Sequence, residues 1–120
     1  MNDKNTIEEM KLVVQEFCEK RDWNQFHNPK DLAIGISTEA NELLDIFRFK
    51  SESDMLKMMT DLKKREHAGE ELADTLFFIL RFAQMNQFDL GEILSDKIKK
   101  NAEKYPVEKS KGTNLKYDEI

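Results

Sequence analysis

The sequence predicts an all-α fold, a four-helix bundle, on three grounds. Only four glycines and two prolines occur in 120 residues, so little interrupts helix. Apolar residues recur at three- and four-residue spacing over most of the chain. No stretch shows the strict alternation of a half-buried strand, and no internal repeat is present.

Each element follows in order. Helix one is expected over about residues 7–21. Thr6 can cap it with Glu9 three positions on, a capping-box pattern. Ile7, Met10, Val13, Val14 and Phe17 would form its apolar stripe. The segment DWNQFHNPKD breaks the periodicity, and Asn28–Pro29 is a good N-cap and first-turn pair. Helix two then runs over about residues 29–49. Its apolar sector is Leu32, Ile36, Ala40, Leu43, Leu44 and Phe47, with Glu39 and Glu42 on the flank. The polar, Met-containing stretch SESDMLKMMTDLKKREHAGE reads as helical, with a break between residues 61 and 69.

Helix three carries EELADTLFFIL and extends to about Asn86. Leu72, Leu76, Ile79 and Ala83 share one face. Phe77, Phe78, Leu80 and Phe82 cover most of the rest, which predicts a central, buried helix. Asp89 can cap helix four, over about residues 90–104, and Pro106 ends it. The expected organisation is one domain, residues 1–106, and a polar, mobile tail, residues 107–120.

Composition narrows the function. A net charge of -5 leaves no basic footprint for a nucleic-acid polymer. Cys18 is the single cysteine, which excludes a disulfide framework and a four-Cys zinc site. It fits a reduced, cytoplasmic setting. MNDKNTIEEM has no basic-then-apolar signal pattern, and no apolar run approaches the ~18 residues of a membrane span.

Two acidic pairs stand out, Glu39-x-x-Glu42 on helix two and Glu71-x-x-Asp74 on helix three. Residues three apart are neighbours on a helix surface. If the two helices pack antiparallel, the pairs meet and four carboxylates surround a small volume. Four anions there require protons or a cation. An all-oxygen set suits Mg²⁺ or Mn²⁺ and metal-assisted phosphoryl or nucleotidyl transfer. A Glu-x-x-Glu pair alone is an ordinary solvated face, and helix N-termini favour acids such as Glu70 and Glu71. Asp74, inside an apolar run, resists that explanation. From the residues alone, a metal site and solvated faces weigh about equally. A di-iron carboxylate site needs Glu-x-x-His, and neither His27 nor His67 stands in that register.

Other residues have two readings. Trp23, Phe26 and His27 could stack on a base or plug one end of the bundle; the residues alone favour the plug. Lys97, Lys100, Asn101 and Lys104 share helical spacing and suit either polyphosphate or a solvated basic face near a helix C-terminus. Met55, Met58 and Met59 suit an adaptable subunit contact. Cys18 reads as buried packing and His67 as a surface residue.

With these motifs in place, the sequence resembles the all-α NTP pyrophosphohydrolases of the MazG-like superfamily. Its signature, Glu-x-x-Glu, a spacer and Glu-x-x-Asp, stands here as Glu39–Glu42 and Glu71–Asp74. The dCTP pyrophosphatase branch is the most similar in pattern, through RDWNQFHNPKDL and KIKKNAEKYP as well. The resemblance implies an oligomeric four-helix module, a homodimer or homotetramer, with Mg²⁺ held by Glu39, Glu42, Glu71 and Asp74. It implies cleavage of a nucleoside triphosphate between the α and β phosphates.

It also implies substrate-binding roles for Trp23, Asn24, Gln25, Phe26 and His27. For Trp23 and His27 it reverses the preference for a plug, and for Phe26 it leaves both readings open. Phe49 stands where the branch has a Trp that holds the base, and Phe78 where it has a Tyr. Lys97, Asn101 and Tyr105 match positions near the phosphates or sugar. Val14 replaces a base-contacting His, and such lost polar contacts relax discrimination. The expected activity is a Mg²⁺-dependent pyrophosphohydrolase for a dNTP such as dCTP, serving nucleotide-pool house-cleaning. Glu42 and Glu71 are the candidate general bases. The alternative is a non-catalytic helical module that binds nucleotide or protein.

Overall fold

Residues 5–120 are described in the computed structural model; Met1–Lys4, part of the expected domain, lie outside the described residues. The described chain is helical throughout: α1 Ile7–Lys20, α2 Pro29–Phe47, α3 Glu52–Thr60, α4 Leu62–Met85, α5 Leu90–Lys104 and α6 Val107–Ser110. A 3₁₀ turn, Asn24–Phe26, lies between α1 and α2.

Short polar side chains set the boundaries. Thr6 Oγ1 accepts from Glu9 N at 3.1 Å to start α1, and Asn28 Oδ1 accepts from Asp31 N at 2.8 Å before Pro29. Ser51 and Asp54 form a reciprocal capping box at α3. Asp61 resolves the expected break. Its extended backbone (φ -84°, ψ 122°) ends α3 and begins α4, and its carboxylate accepts from Lys64 N at 3.1 Å. The third expected helix is therefore longer than EELAD suggests, because Asp61 supplies a cap eight residues before Gly69.

The chain forms two packing units, one reaching Gln87 and the other Phe88–Ile120. In the first, α4 packs against α1, α2 and α3. Gly35 meets Phe78 and Glu42 meets Glu71, so α2 and α4 run antiparallel. The buried core includes Val14, Cys18, Leu32, Met58, Ala68, Leu80 and Ala83.

Two expectations about burial change. On α1 the inward positions are Lys11, Val14 and Cys18, while Val13 and Phe17 are exposed. The inward stripe is rotated from the predicted one, and Lys11 reaches Glu8 at 3.2 Å. On α4 only Ala68, Leu80, Arg81 and Ala83 are buried. Leu72 is 57 % exposed and Leu76 is also open. The helix is central, but buried on one side only, since its neighbours cover one sector and leave an apolar face uncovered. Asp74 is exposed too, so it bears no burial cost.

In the second unit, α5 begins at Asp89, whose carboxylate accepts from Glu92 N at 3.0 Å, and it has no buried residue. Short helix α6 follows Pro106 in the segment expected to be a tail. The Tyr105 and Tyr117 rings meet edge-on at 6.1 Å.

Candidate metal centre and nucleotide site

Two and a half turns into α2, and a similar distance along α4, the antiparallel register brings carboxylates together. Oxygens of Glu39, Glu42 and Glu71 all lie within 4.8 Å of one another. Glu39 and Glu71 are partly covered, and each has one oxygen, Oε2, buried without a hydrogen-bond partner. Such an orphaned acceptor is costly unless something absent from the protein satisfies it. Asp74 is not one of these three, but its negative charge acts on both Glu39 and Glu71.

The electrostatics agree. Burial, then the hydrogen-bonding closeness of Glu42, then the charges of Glu42, Asp74 and Glu71 push the Glu39 carboxyl above its usual value. Burial, Glu42 and Asp74 do the same to Glu71, opposed by His67. His67 Nδ1 lies 4.0 Å from Glu71 Oε1, with the imidazole largely exposed. A concentrated set of oxygen donors with unsatisfied lone pairs and raised pKa values fits a hard divalent cation.

Glu42 and Glu71 open onto a cavity of about 900 Å³ walled by α2, α3, α4 and the α2–α3 turn. Lys50, Lys57, Lys63 and Lys64 bring positive charge to it, beside His67 and among Asp45, Asp54 and Asp61. The sequence reading missed these lysines. They come from three segments separated by helix ends, and only their charge hinted at the role. Lys97, which the resemblance implies near the phosphates or sugar, is exposed on α5 in the second unit with Asn101, and Tyr105 is that helix's C-cap.

The expected base-binding segment is held elsewhere on α4. Arg81, 1 % exposed, donates from Nε to His27 Nδ1 at 2.9 Å, and from its terminal nitrogens to Gln84 Oε1 at 2.6 Å and to Asn24 Oδ1. Burial and the Arg81 charge hold His27 below the ordinary imidazole value. Trp23 packs edge-on against His27 at 6.1 Å and Phe17 at 5.6 Å. Gln25 turns back to Asp22 through its amide, and Phe26 is exposed, so it plugs nothing within this unit. The sequence pattern of α4 did not single out Arg81.

Phe49 is 91 % exposed at φ 63°, with the Arg48 guanidinium 4.8 Å from its ring centre. A bulky side chain in the left-handed region is strained. Phe78 lies against Gly35 and, edge-on, against Phe77. Val14 is buried packing, as is Cys18, whose thiol burial pushes upward.

Comparisons with known proteins agree with this architecture. Residues 34–120 match the MazG-like family. The chain is 32 % identical to mouse dCTP pyrophosphatase 1 over 115 residues, 96 % of this chain and 68 % of the mouse protein. It is 29 % identical to the human protein of that name over the same shares. A pyrophosphatase from Archaeoglobus fulgidus superposes with a TM-score of 0.78 at 31 % identity, covering 88 % of this chain and 97 % of the other. Fold and site define an all-α nucleotide pyrophosphatase, a hydrolase. The chain belongs to the MazG-like family. Among the described residues, no helix is long and apolar enough to cross a membrane.

Proposed function

We propose that the protein is a Mg²⁺-dependent nucleoside triphosphate pyrophosphohydrolase that cleaves a dNTP such as dCTP between the α and β phosphates. The products are the nucleoside monophosphate and pyrophosphate. The observation that carries this reading is the juxtaposition of Glu39, Glu42 and Glu71, with orphaned oxygens on two of them. Its substrate class follows the dCTP pyrophosphatases that the chain resembles.

Glu39, Glu42, Glu71 and Asp74 would hold the cation, Mg²⁺ or Mn²⁺. When bound, it supplies charge neutralisation and polarisation of the phosphoryl oxygens. The lysines of the cavity bind the charged phosphates as point charges. Glu42 or Glu71 accepts the proton of the attacking water, a role suited to a carboxyl whose pKa is raised, as that of Glu71 is. Trp23, Asn24, Gln25, Phe26 and His27 bind the nucleoside end, with Phe49 and Phe78 on the base and sugar. By the family resemblance, Lys97, Asn101 and Tyr105 serve the phosphates or sugar. Residues 1–106 form the catalytic domain. The uncovered apolar face of α4 and the exposed apolar positions of α5, Ile93, Leu94 and Ile98, are covered in a homodimer or homotetramer. The protein acts in the cytoplasm, clearing the nucleotide pool.

Incubation with each NTP and dNTP plus Mg²⁺, with pyrophosphate detection, tests the reading. A deoxynucleotide, dCTP among the best, should release pyrophosphate, and a chelator should stop it. Turnover of none of them would refute the proposal.

A further inference from the structure

Arg81 has a role that its burial makes specific. Among the described residues it has no carboxylate partner. Its bonds go instead to three neutral acceptors, His27 Nδ1, Gln84 Oε1 and Asn24 Oδ1. A guanidinium offers donors only, so every group facing it must accept. Asn24 therefore commits its carbonyl oxygen and His27 its Nδ1 lone pair. What each retains is a donor: the Asn24 amide NH₂ and, on a neutral imidazole, Nε2–H. Asn24 is exposed and His27 half-buried, beside the Trp23 ring.

We propose that Arg81 is a positioning residue for ligand recognition. It locks Asn24 and His27 into a donor-only face beside Trp23, and that face takes a ligand group offering acceptors without donors. This rests on the nucleotide reading above. The shared chemistry is an acceptor edge, which the ring nitrogen and carbonyl of cytosine or phosphate oxygens can supply. Burial and the Arg81 charge both keep His27 neutral, so its single proton stays on Nε2 at neutral pH. Arg81 on α4 is the charged group that bears on it. Arg81 lies ten residues after Glu71 on α4, so the donor face and the carboxylates are set about 15 Å apart along one helix axis.

The protein has two histidines, His27 and His67, so a long-range ¹H–¹⁵N spectrum, assigned with His67→Gln, reads the His27 tautomer directly. The wild type should show neutral His27 with the proton on Nε2 near pH 7. Arg81→Lys keeps the charge but loses the planar fork. It should mix the tautomers and raise KM by roughly ten-fold, the size of one lost hydrogen bond, with kcat little changed. A base contact would alter the dCTP-to-dTTP ratio of KM, because thymine places an N–H where cytosine accepts. A phosphate contact would raise KM equally for both and weaken inhibition by pyrophosphate.

A protonated His27, a proton on Nδ1, or an Arg81→Lys variant with wild-type KM throughout would overturn the proposal. If the variant fails to fold, the wild-type tautomer decides. A wild type that turns over no nucleotide refutes the proposed function instead. The tautomer, and a shift of the His27 Nε2–H signal on adding dCTP, then still judge Arg81.

Discussion

The Phe78 ring lies so close to Gly35 that a Cβ built on the glycine would stand 2.6 Å from Phe78 Cδ1. This contact sets how closely α2 approaches α4 where their antiparallel register leads to the carboxylates. Gly35→Ala improves helix propensity by about 1 kcal/mol, but the methyl has nowhere to go. The expected net effect is a loss of roughly 1–3 kcal/mol, as in other overpacked cores. Gly69 in α4 has nothing near its missing Cβ, so Gly69→Ala should gain up to about 1 kcal/mol. Urea denaturation of the two variants checks this; a stabilised Gly35→Ala would remove the close approach.

The raised pKa values of Glu39 and Glu71 fix the sign of a pH effect. Without metal, the folded state holds these protons more tightly than the unfolded chain, whose value is near 4.5. Their favourable contribution is complete below that value and is lost as pH rises through the higher folded value. A divalent cation replaces the protons. Added Mg²⁺ should therefore raise Tm more at about pH 8 than at about pH 5. Glu39→Gln should stabilise the metal-free protein at the higher pH and abolish most of the Mg²⁺-induced rise. Equal rises at both pH values would contradict a cation at this cluster.

Phe49 combines an exposed ring with a strained backbone. Phe49→Gly removes strain of about 1–2 kcal/mol, partly offset by the greater freedom of an unfolded glycine. Stability should hold or rise although a large apolar side chain is lost. If the ring stacks on the base, KM should rise roughly 5- to 150-fold, the equivalent of about 1–3 kcal/mol. Unchanged KM in steady-state assays would leave Phe49 without a substrate role.

Much of this was legible in sequence because it depends on local chemistry. Thr6, Asn28 and Asp89 cap the helices they were expected to cap, and α5 has the predicted span. The meeting of Glu39, Glu42 and Glu71 follows from helical spacing and an antiparallel pairing, whereas Asp74 stays outside that trio. The illegible parts depend on which neighbour covers which sector. Periodicity gave α1 and α4 apolar faces, but could not say that Lys11 turns inward while Val13 and Leu72 stay open. Arg81 needed acceptors 54 and 57 residues away, a pairing that only the fold supplies. The lysine-bearing cavity assembles in the same way, around Asp61 and the ends of α2 and α3.

The central claim is that this carboxylate cluster performs cation-dependent cleavage at the α phosphate. Phosphorus NMR of dCTP with the wild type, Glu42→Gln and Asp74→Asn, each with and without Mg²⁺, tests it most directly. The wild type with Mg²⁺ should yield only monophosphate and pyrophosphate, with no product under chelation and a rate at least about 100-fold lower in either variant, beyond the loss of a merely supporting group. Orthophosphate as the first product, or wild-type rates in both variants, would contradict it.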